Sequence, residues 1–471
     1  MNHDRQSAGQ SLLEILIALT VFAVVVTAAA LVFYGGSSSI LAQNFSAGAL
    51  DYARSGLEAA RTIRDQIGCG SMINGTYGLS LQGSKWQFIP NFDSSGAYTR
   101  TMTVSSLDVN TKKIVASVAW QSEDDRPESI QLTEALSDWI TTGSDLGTPS
   151  GDWTHPQIIA SIDIGAGNNG TGLAYQKKKI YMAGYASSKN KPDIFIFDVS
   201  NPVSPSLQGA ANIEEGLAAI AVSGSYAYAV EQDSPDFFTI NVANPMMPLK
   251  VGKIMLPGGF GKTVALYGMY ALVGTTNNPS GAEFFVVNVA NPVSPTPVAS
   301  IEIGSDVNVI AIRGSKAYIT TSFDNGEMKI IDMTTPPTPL VVGVFDAPGA
   351  DQPGITAFAR QCGYAYLGRK EGAQPEFYVV DAVNPSMPVS LGSFETNSQV
   401  NGMVTAGTYA FLGTDDTNQE FKVLDMTNLS SIQLIGSINL PQNATGLVYN
   451  DNYVYISARS NDALKIITSS P

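Results

Sequence analysis

Hydrophobic side chains follow three different patterns along this chain, and each pattern predicts a different kind of element. The first is an apolar run from Leu12 to Phe33, in which Glu14 is the single ionisable side chain. As a helix, a run of this length crosses a hydrocarbon core of roughly 30 Å. The pattern predicts a membrane-spanning helix with a carboxylate close to its start.

The second pattern is a helical stripe that continues beyond the apolar run. After a glycine and serine interruption at residues 35–39, apolar residues recur at steps of three and four: Leu50, Ala53, Leu57, Ala60, Ile63 and Ile67. Glu58, Arg61 and Asp65 offer ion pairs outside this stripe. We therefore predict one transmembrane and stalk helix over residues 10–67, with a bend at the interruption or a place there where the helix melts on assembly.

The third pattern is an alternation of period two, which begins near Trp86. It predicts strands at residues 98–104, at 113–122 and from Glu128 onward, separated by the turn sequences LDVNT and EDDRP. Residues 68–140 are thus expected to form a small antiparallel β domain. Residues 141–156 carry turn formers without a period and predict a linker.

Residues 157–471 repeat one unit seven times. Each unit has an apolar hairpin such as AVSGSYAYAV, followed by a phrase such as FIFDVSNP, TINVANP, VVNVANP or VVDAVNP. A period of roughly 40 to 50 residues with several short strands per unit is the signature of a β-propeller blade. The repeats predict a seven-bladed, all-β propeller.

The order of the repeats also predicts how the ring closes. An outer-type strand, QIIASIDIG, begins at Gln157, and the last strand, KIITSS, is of the kind that should precede an outer strand. The two ends of the repeat region are therefore expected to share one blade, which removes an open sheet edge.

Polar residues at the end of the recurring phrase occupy equivalent places: Asp198, Asn241, Asn288, Asp332, Asp381 and Asp425. Because Asp and Asn side chains readily accept hydrogen bonds from the backbone two residues on, we interpret these residues as turn caps and not as a catalytic ring. The P-x-x-P steps that follow, such as Pro202 and Pro205, are expected to rigidify the turn into the outer strand.

The start of the chain resembles the type IV prepilin signal, through Gly9, Gln10 and Glu14. The resemblance implies that prepilin peptidase removes the leader of residues 1–9 by cutting between Gly9 and Gln10, and methylates the new amino terminus. It also implies that Glu14 is the assembly residue, since a carboxylate in lipid needs a countercharge and the amine of a neighbouring subunit supplies one. An ordinary signal anchor or a cleaved secretory peptide are the alternatives.

Two further resemblances concern the domains that follow. The stalk and the small sheet are similar to the heads of minor pilins and secretion pseudopilins. The repeated phrase and its spacing resemble the LVIVD-repeat propellers over about 315 residues, from 157 to 471.

Composition narrows the possible chemistry. The net charge of −15 disfavours nucleic acid and anionic lipid as partners. The two histidines, His3 and His155, lie in the predicted leader and linker, so we expect no histidine-based metal or acid–base site, no catalytic residue and no cofactor. Cys69 and Cys362 lie in different predicted domains, and two separate thiols are favoured over a cross-link.

Together these features predict a non-enzymatic minor pilin or pilin-like subunit that displays a propeller for adhesion or for protein or glycan binding. Its expected partners are prepilin peptidase, other pilin subunits and a surface ligand, and its expected location is the cytoplasmic membrane, as a single-pass protein with its globular domains outside, and then a surface filament. A type II secretion-like pseudopilin whose propeller binds cargo and a membrane-tethered propeller enzyme are the alternatives.

Overall fold

The computed structural model of this protein describes part of the predicted helix and nearly all of the predicted propeller. The described residues are 19, 20, 22–27, 45–63, 72, 74–83, 85–106, 111–122, 125–137, 149–186, 188, 190–213, 216–279, 281–360 and 363–470. They cluster into two compact units, the larger of which contains residues 137–471.

Residues 19, 20, 22–27 and 45–63 are helical, and the rest of the predicted helix of residues 10–67 lies outside the described residues. No helix within the described ranges combines the length and the apolar character that crossing a bilayer requires. The glycine and serine interruption at residues 35–39 also lies outside them.

The helix of residues 45–63 buries the predicted stripe. Ala53, Leu57, Ala60 and Ile63 are buried, as their spacing of three and four predicts. The Arg61 guanidinium forms two hydrogen bonds of 2.8 and 2.9 Å with the carboxylate of Glu134 in the sheet of the same unit, whereas Asp65, a predicted partner within the helix, lies outside the described residues.

That sheet is antiparallel and has six strands, three more than the alternating pattern predicts. Its order is β2-β1-β4-β5-β6, with β3 paired to β4. The strands are β1 (Gly75–Gln82), β2 (Lys85–Pro90), β3 (Asp93–Ser95), β4 (Tyr98–Ser106), β5 (Thr111–Gln121) and β6 (Pro127–Ser137). The three predicted strands correspond to β4, β5 and β6, whereas the LDVNT turn lies largely outside the described residues.

A largely buried ion pair within this sheet also contacts the helix. The Arg100 guanidinium lies 2.7 Å from the Asp93 carboxylate, donates to the Tyr52 carbonyl and lies 4.0 Å over the Tyr52 ring. Burial, followed by the hydrogen bond to Asp93, raises the pKa of Tyr52 to about 12. The pair is therefore satisfied on both sides, which offsets its desolvation.

The larger unit is a closed ring of seven four-stranded antiparallel sheets, as the repeats predict. Neighbouring inner strands contact each other around the whole ring, and the last inner strand contacts the first. The seven inner strands are β8 (Asn168–Gln176), β12 (Leu217–Ser223), β16 (Gly261–Tyr267), β20 (Val307–Arg313), β24 (Gly354–Ala359), β28 (Val400–Ala406) and β32 (Ala444–Asn450).

Each inner strand forms a hairpin with a second strand, which pairs with a third. The second strands are β9 (Lys179–Ala186), β13 (Tyr226–Glu231), β17 (Tyr270–Thr275), β21 (Lys316–Thr321), β25 (Tyr364–Arg369), β29 (Tyr409–Thr414) and β33 (Tyr453–Ala458). The third strands are β10 (Ile194–Asp198), β14 (Asp236–Asn241), β18 (Phe284–Asn288), β22 (Met328–Asp332), β26 (Phe377–Asp381), β30 (Phe421–Asp425) and β34 (Leu464–Ser470).

The outer strands complete the sheets. They are β7 (Asp152–Ile162), β11 (Ser206–Ala211), β15 (Leu249–Met255), β19 (Thr296–Ile301), β23 (Leu340–Phe345), β27 (Val389–Phe394) and β31 (Gln433–Ile438), and a 3-10 turn at Leu429–Ser431 precedes β31. Seven hydrophobic clusters fill the spaces between neighbouring sheets. Because the second and third strands are covered on both faces, their sequences are nearly continuous runs of apolar residues.

The ring closes as predicted, but its closing strand is longer than predicted. β7 pairs antiparallel with β34, from Ile162 opposite Leu464 to Asp152 opposite Ser470. The predicted linker of residues 141–156 is therefore wrong at its carboxyl end, because residues 152–156 belong to β7.

Trp153 explains the extra length of β7. Its side chain is buried, packs 4.6 Å from the Phe411 ring and belongs to the cluster between the sixth and seventh sheets. The carbonyl of Trp153 lies over Gly436, in the place that an Asn-Pro turn carbonyl takes over the equivalent glycine in other sheets. Trp153 thus makes, in the last sheet, the contact that an Asn-Pro turn makes in other sheets.

Candidate functional site

The three predicted processing and assembly residues, Gly9, Gln10 and Glu14, lie outside the described residues, as do Cys69 and Cys362.

The six predicted turn caps lie within the described residues. Each caps a turn by accepting the backbone N–H two residues on, at 2.8 or 2.9 Å, and these residues are Asp198, Asn241, Asn288, Asp332, Asp381 and Asp425. The interpretation as turn caps is confirmed.

A central cavity of about 960 Å³ lies within the ring. All seven inner strands line it. Its size lies within the range of roughly 300 to 1,000 Å³ that is common for pockets binding small ligands. The cavity is therefore the candidate binding site.

A β-bulge occurs at the same place in every inner strand, close to its first residue. The seven residues at the bulge are Thr171, Ala218, Lys262, Asn308, Ile355, Asn401 and Thr445, which we call the bulge ring. All seven line the cavity and all are half-buried, while the residue before each of them is buried. A bulge re-aims a side chain that the regular pleat would place elsewhere, so the ring presents seven side chains to one mouth of the channel.

Three members of the bulge ring donate hydrogen bonds to backbone carbonyls of the next sheet around the mouth. Thr171 Oγ1 donates to the Leu217 carbonyl at 2.6 Å, Asn308 Nδ2 donates to the Gly354 carbonyl at 2.7 Å, and Thr445 Oγ1 donates to the Gly170 carbonyl at 3.0 Å. In each case the acceptor is the residue just before the next bulge. These bonds satisfy inner-edge carbonyls and hold the mouth at a fixed diameter.

The Lys262 ammonium is the one cation of the bulge ring, and the protein itself neutralises it. It donates to Asp306 Oδ2 at 2.7 Å and to Asn308 Oδ1 at 2.5 Å. Burial by itself raises the pKa of the Asp306 carboxyl, but the hydrogen bond from Lys262 and the backbone N–H of Asn277 outweigh burial, so the pKa lies below its ordinary value. The Asp306 carboxylate therefore stays ionised and offsets the positive charge of Lys262 at neutral pH.

Asn401, on the other side of the mouth, is positioned by a glutamine. Gln399 Nε2 donates to Asn401 Oδ1 at 2.6 Å, and the backbone N–H of Gln399 donates to Asp415 Oδ1 at 2.8 Å. Asn401 therefore keeps its amide NH₂ group as a donor towards the cavity that it lines, because its oxygen is already bonded.

Buried carboxylates recur at the start of the third strand, and they support loops. Asp193, Glu283, Glu327, Glu376 and Glu420 each accept a backbone N–H from the residue 20 positions later, at 2.7 to 2.9 Å. Burial raises the pKa of Glu327 and of Glu376. The Glu327 carboxylate also lies 3.1 Å from the fully buried guanidinium of Arg369. These groups hold the loops above the outer strands, and none of the five lines the cavity.

His155 lies on β7, not in a linker, and forms a small cluster with two neighbours. Its Nδ1 lies 2.8 Å from Asp152 Oδ2 and 2.9 Å from Thr154 Oγ1. Hydrogen bonds from Thr154 and then from His155 lower the pKa of Asp152 to about 2. Both partners use the same ring nitrogen, whereas a base that activates a nucleophile needs one nitrogen for each partner. The cluster is exposed and lies away from the cavity lining.

Sequence reasoning missed the bulge ring and the buried carboxylates. Both have a signal in the repeats. The acids directly precede the third strand, as in Glu283-Phe284 and Glu376-Phe377, and the bulge position carries polar residues such as Thr, Asn and Lys in five of the seven units. Nothing in one unit taken alone marks the bulge, because it arises from pairing between strands.

Comparison with known families agrees with two of the three sequence resemblances, those to the prepilin signal and to the LVIVD repeats. Residues 4–30 match the family described as "Prokaryotic N-terminal methylation motif". Residues 188–212, 218–255, 258–302, 362–396 and 400–440 match the family described as "LVIVD repeat". No curated protein matches the chain.

Solved structures show the fold class of the ring. The WD40 β-propeller domain of Doa1 aligns with a TM-score of 0.51 and 11% identity, over 66% of this chain and 96% of that chain. A catalytically inactive virginiamycin B lyase from Staphylococcus aureus, solved with quinupristin, aligns with a TM-score of 0.51 and 11% identity, over 67% and 99%. A chain of the mitotic checkpoint complex aligns with a TM-score of 0.53 and 13% identity, over 72% and 99%. At sequence identities this low, the alignments show that the ring has the propeller fold and show nothing about its function.

Proposed function

We propose that this chain, which joins a prokaryotic N-terminal methylation motif to LVIVD repeats folded as a β-propeller, is a non-enzymatic minor pilin or pilin-like filament subunit. Its propeller binds a surface ligand at the mouth that the bulge ring surrounds. The observation that carries the proposal is the methylation motif at residues 4–30, placed ahead of a closed ring with a polar-mouthed cavity.

In this proposal, prepilin peptidase removes residues 1–9 and leaves an amine on Gln10. That amine pairs with Glu14 of a neighbouring subunit, because a lone carboxylate in lipid is costly, at about 2.5 to 3.5 kcal/mol on insertion scales. Before assembly the chain is anchored in the cytoplasmic membrane with its globular units outside. After assembly it belongs to a surface filament.

The absence of enzymatic activity is part of the proposal, and three contacts support it. The acidic residues that recur at equivalent positions of the repeats cap turns or hold loops, as Asp425 and Glu420 do. His155 uses one nitrogen for both partners. Among the residues that line the cavity, Lys262 is tied to Asp306. None of these groups is arranged as a nucleophile with its own base.

The intact mass of the membrane-extracted protein tests processing directly. We expect a mature chain that starts at Gln10, with or without one added methyl group. A Gly9→Val variant should retain residues 1–9, since the peptidase cuts after a small residue in the family that this signal resembles. A native chain that begins at Met1 would contradict the proposal.

Assembly is tested by Glu14→Ala, which removes the countercharge for the new amine. We expect the variant to be processed normally but to be lost from sheared surface filaments by at least about tenfold, equivalent to about 1.4 kcal/mol. Glu58→Ala is the matched control, because Glu58 is an exposed carboxylate on the helix of residues 45–63. Equal amounts of both variants in filaments would overturn the assembly role of Glu14.

A further inference from the structure

We infer that the bulge ring is a binding site for an uncharged polyhydroxylated ligand, namely the end of a neutral glycan. This inference rests on the proposed function, whose surface ligand it assigns to a chemical class. The observations that carry it are the charge balance of the cavity, the hydrogen-bonding groups at its mouth and the apolar surface beneath them.

Charges within the site cancel although the chain as a whole is strongly acidic. The charged residues among those that line the cavity are Lys262, Arg459 and Asp233, and Asp306 binds Lys262 from just outside the lining. The formal charges of these four residues sum to zero in a chain of net charge −15, and Lys262 and Asp306 form an ion pair. An anionic ligand would need an uncompensated cation, and a cationic ligand would need an uncompensated carboxylate, so the balance favours a neutral ligand.

Amides and hydroxyls dominate the polar part of the site. Four members of the bulge ring are of this kind, and Asn169, Gln232 and Gln399 add three more amides to the lining. An amide side chain both donates and accepts hydrogen bonds, as does a hydroxyl. A sugar hydroxyl also does both, so an amide-rich mouth can satisfy several adjacent hydroxyls without a formal charge.

The inner strands below the mouth supply a narrow apolar wall. Gly172, Gly402 and Gly446 leave space along the axis, while Leu173 and Leu447 line it with methyl groups. A sugar ring has an apolar face of C–H groups that can pack on such a wall, and this burial adds about 25 cal/mol per Å² of apolar surface. The site thus offers separate places for the polar edge and the apolar face of one sugar.

A polypeptide fits the same mouth less well. An extended peptide is usually bound by adding a strand to a free sheet edge, through backbone hydrogen bonds. On three of the seven inner strands, a carbonyl at the mouth already accepts a hydrogen bond from a bulge residue of the preceding sheet. The inner edges are therefore partly closed to strand addition.

The test uses the full chain in a zwitterionic detergent that carries no sugar, because a glycosidic detergent would compete for the site. Chitotetraose, maltotetraose and N-acetyllactosamine are titrated by calorimetry. We expect saturable binding of at least one of them, with a dissociation constant that changes less than about twofold between 0.05 and 0.5 M NaCl, since salt screens charge pairs and not neutral contacts.

Asn401→Asp is the diagnostic variant. Its shape is nearly unchanged and it still accepts the hydrogen bond from Gln399, but it loses the NH₂ donor and adds a negative charge at the mouth. We expect binding to weaken by about tenfold or more, from the loss of one buried hydrogen bond to the ligand. Asn450→Asp makes the same change at the other end of an inner strand and should leave binding within about twofold, as a contact remote from the ligand should.

The inference would be overturned if none of the three oligosaccharides binds, or if Asn401→Asp leaves oligosaccharide binding unchanged. It would also be overturned if reduced, alkylated ribonuclease A binds and Asn401→Asp weakens that binding, which would indicate a polypeptide ligand. The unfolding midpoint of each variant shows whether its ring remains folded. If sugars fail while the mature chain starts at Gln10 and enters filaments, the ligand class is wrong and the proposed function stands. If sugars bind while the amino terminus is Met1, the site stands without the filament role.

Discussion

At the scale of single residues, side chains in the repeats act through bonds to the nearby backbone. Asp332 shows this clearly: its Oδ1 accepts the N–H of Thr334 at 2.9 Å and the Thr334 hydroxyl at 2.6 Å. In the second and third sheets, Asn241 and Asn288 make the equivalent backbone bond. The cap therefore needs a short side-chain oxygen and not a charge, which is why sequence alone could identify it.

Asp332→Ala is expected to cost about 1 kcal/mol in the free energy of unfolding, because both hydrogen bonds of the cap and the contact with Lys316 are lost, while Asp332→Asn keeps the cap and should cost only a few tenths. The measurement is the denaturant midpoint at pH 7. Similar losses for both variants would show that the charge, held 3.1 Å from Lys316, matters more than the cap.

The difference in unfolding free energy between the wild type and Asp332→Asn is expected to depend on pH. Hydrogen bonding from Thr334 first, and then from Lys316, lowers the pKa of Asp332 below 3.8 in the folded chain. A lowered folded-state pKa contributes stability that is fully present above the unfolded pKa and is lost as the pH falls through the folded pKa. The stability difference between the wild type and Asp332→Asn should therefore shrink below about pH 4, towards acid.

At the scale of elements, five of the seven sheets pack against the next sheet through a glycine in the outer strand. A methyl group at Gly343 would lie 1.7 Å from the Pro385 carbonyl oxygen of the following Asn-Pro turn. Equivalent glycines meet the next turn, or its replacement by Trp153, in four more sheets: Gly209, Gly252, Gly392 and Gly436. The outer strand and the turn of the next sheet thus approach as closely as two backbones can.

Gly343→Ala is expected to destabilise the ring by about 1 to 3 kcal/mol, because the added methyl group must push two backbones apart. Gly172→Ala is the matched control, since its methyl group would meet nothing closer than 3.6 Å. Thermal unfolding of the two variants in the same detergent makes the comparison. If both variants unfold at the same temperature, the close approach at Gly343 does not contribute to stability.

At the scale of the whole molecule, a wide propeller follows a narrow helical segment. A domain of this size has a radius of gyration of roughly 20 Å and hence a width near 50 Å. Packed helices lie only about 8 to 10 Å apart. Propellers on every subunit of a filament would therefore crowd one another, which favours placement at the tip or at rare positions.

Antibody raised against the propeller should label filament ends, or sparse points along filaments, in electron micrographs of intact cells. Cells that carry Glu14→Ala provide the control and should lose this label. Dense labelling along the whole length would contradict tip or rare placement. Label confined to the periplasm would favour a secretion pseudopilin, and turnover of a substrate by the isolated protein would favour the enzyme alternative.

The sequence by itself determined the features that depend on local pattern. Alternation and the seven-fold phrase determined the number of sheets and the way in which β7 closes the ring, because each unit must bury both faces of its middle strands. Asx caps such as Asp425 needed only the chemistry of one side chain and its next two residues. The methylation motif likewise is a local signal.

Only the tertiary structure decided which residues meet across sheets. Lys262 and Asn308 are 46 positions apart along the chain, yet the ring places Lys262 Nζ 2.5 Å from Asn308 Oδ1. The extra strand residues at Trp153 and the bulge at Asn401 likewise come from pairing with distant segments. Hydrophobic periodicity predicts which side chains one strand buries. The bulge ring forms only when all seven inner strands have paired in their native registers, so no single repeat could reveal it.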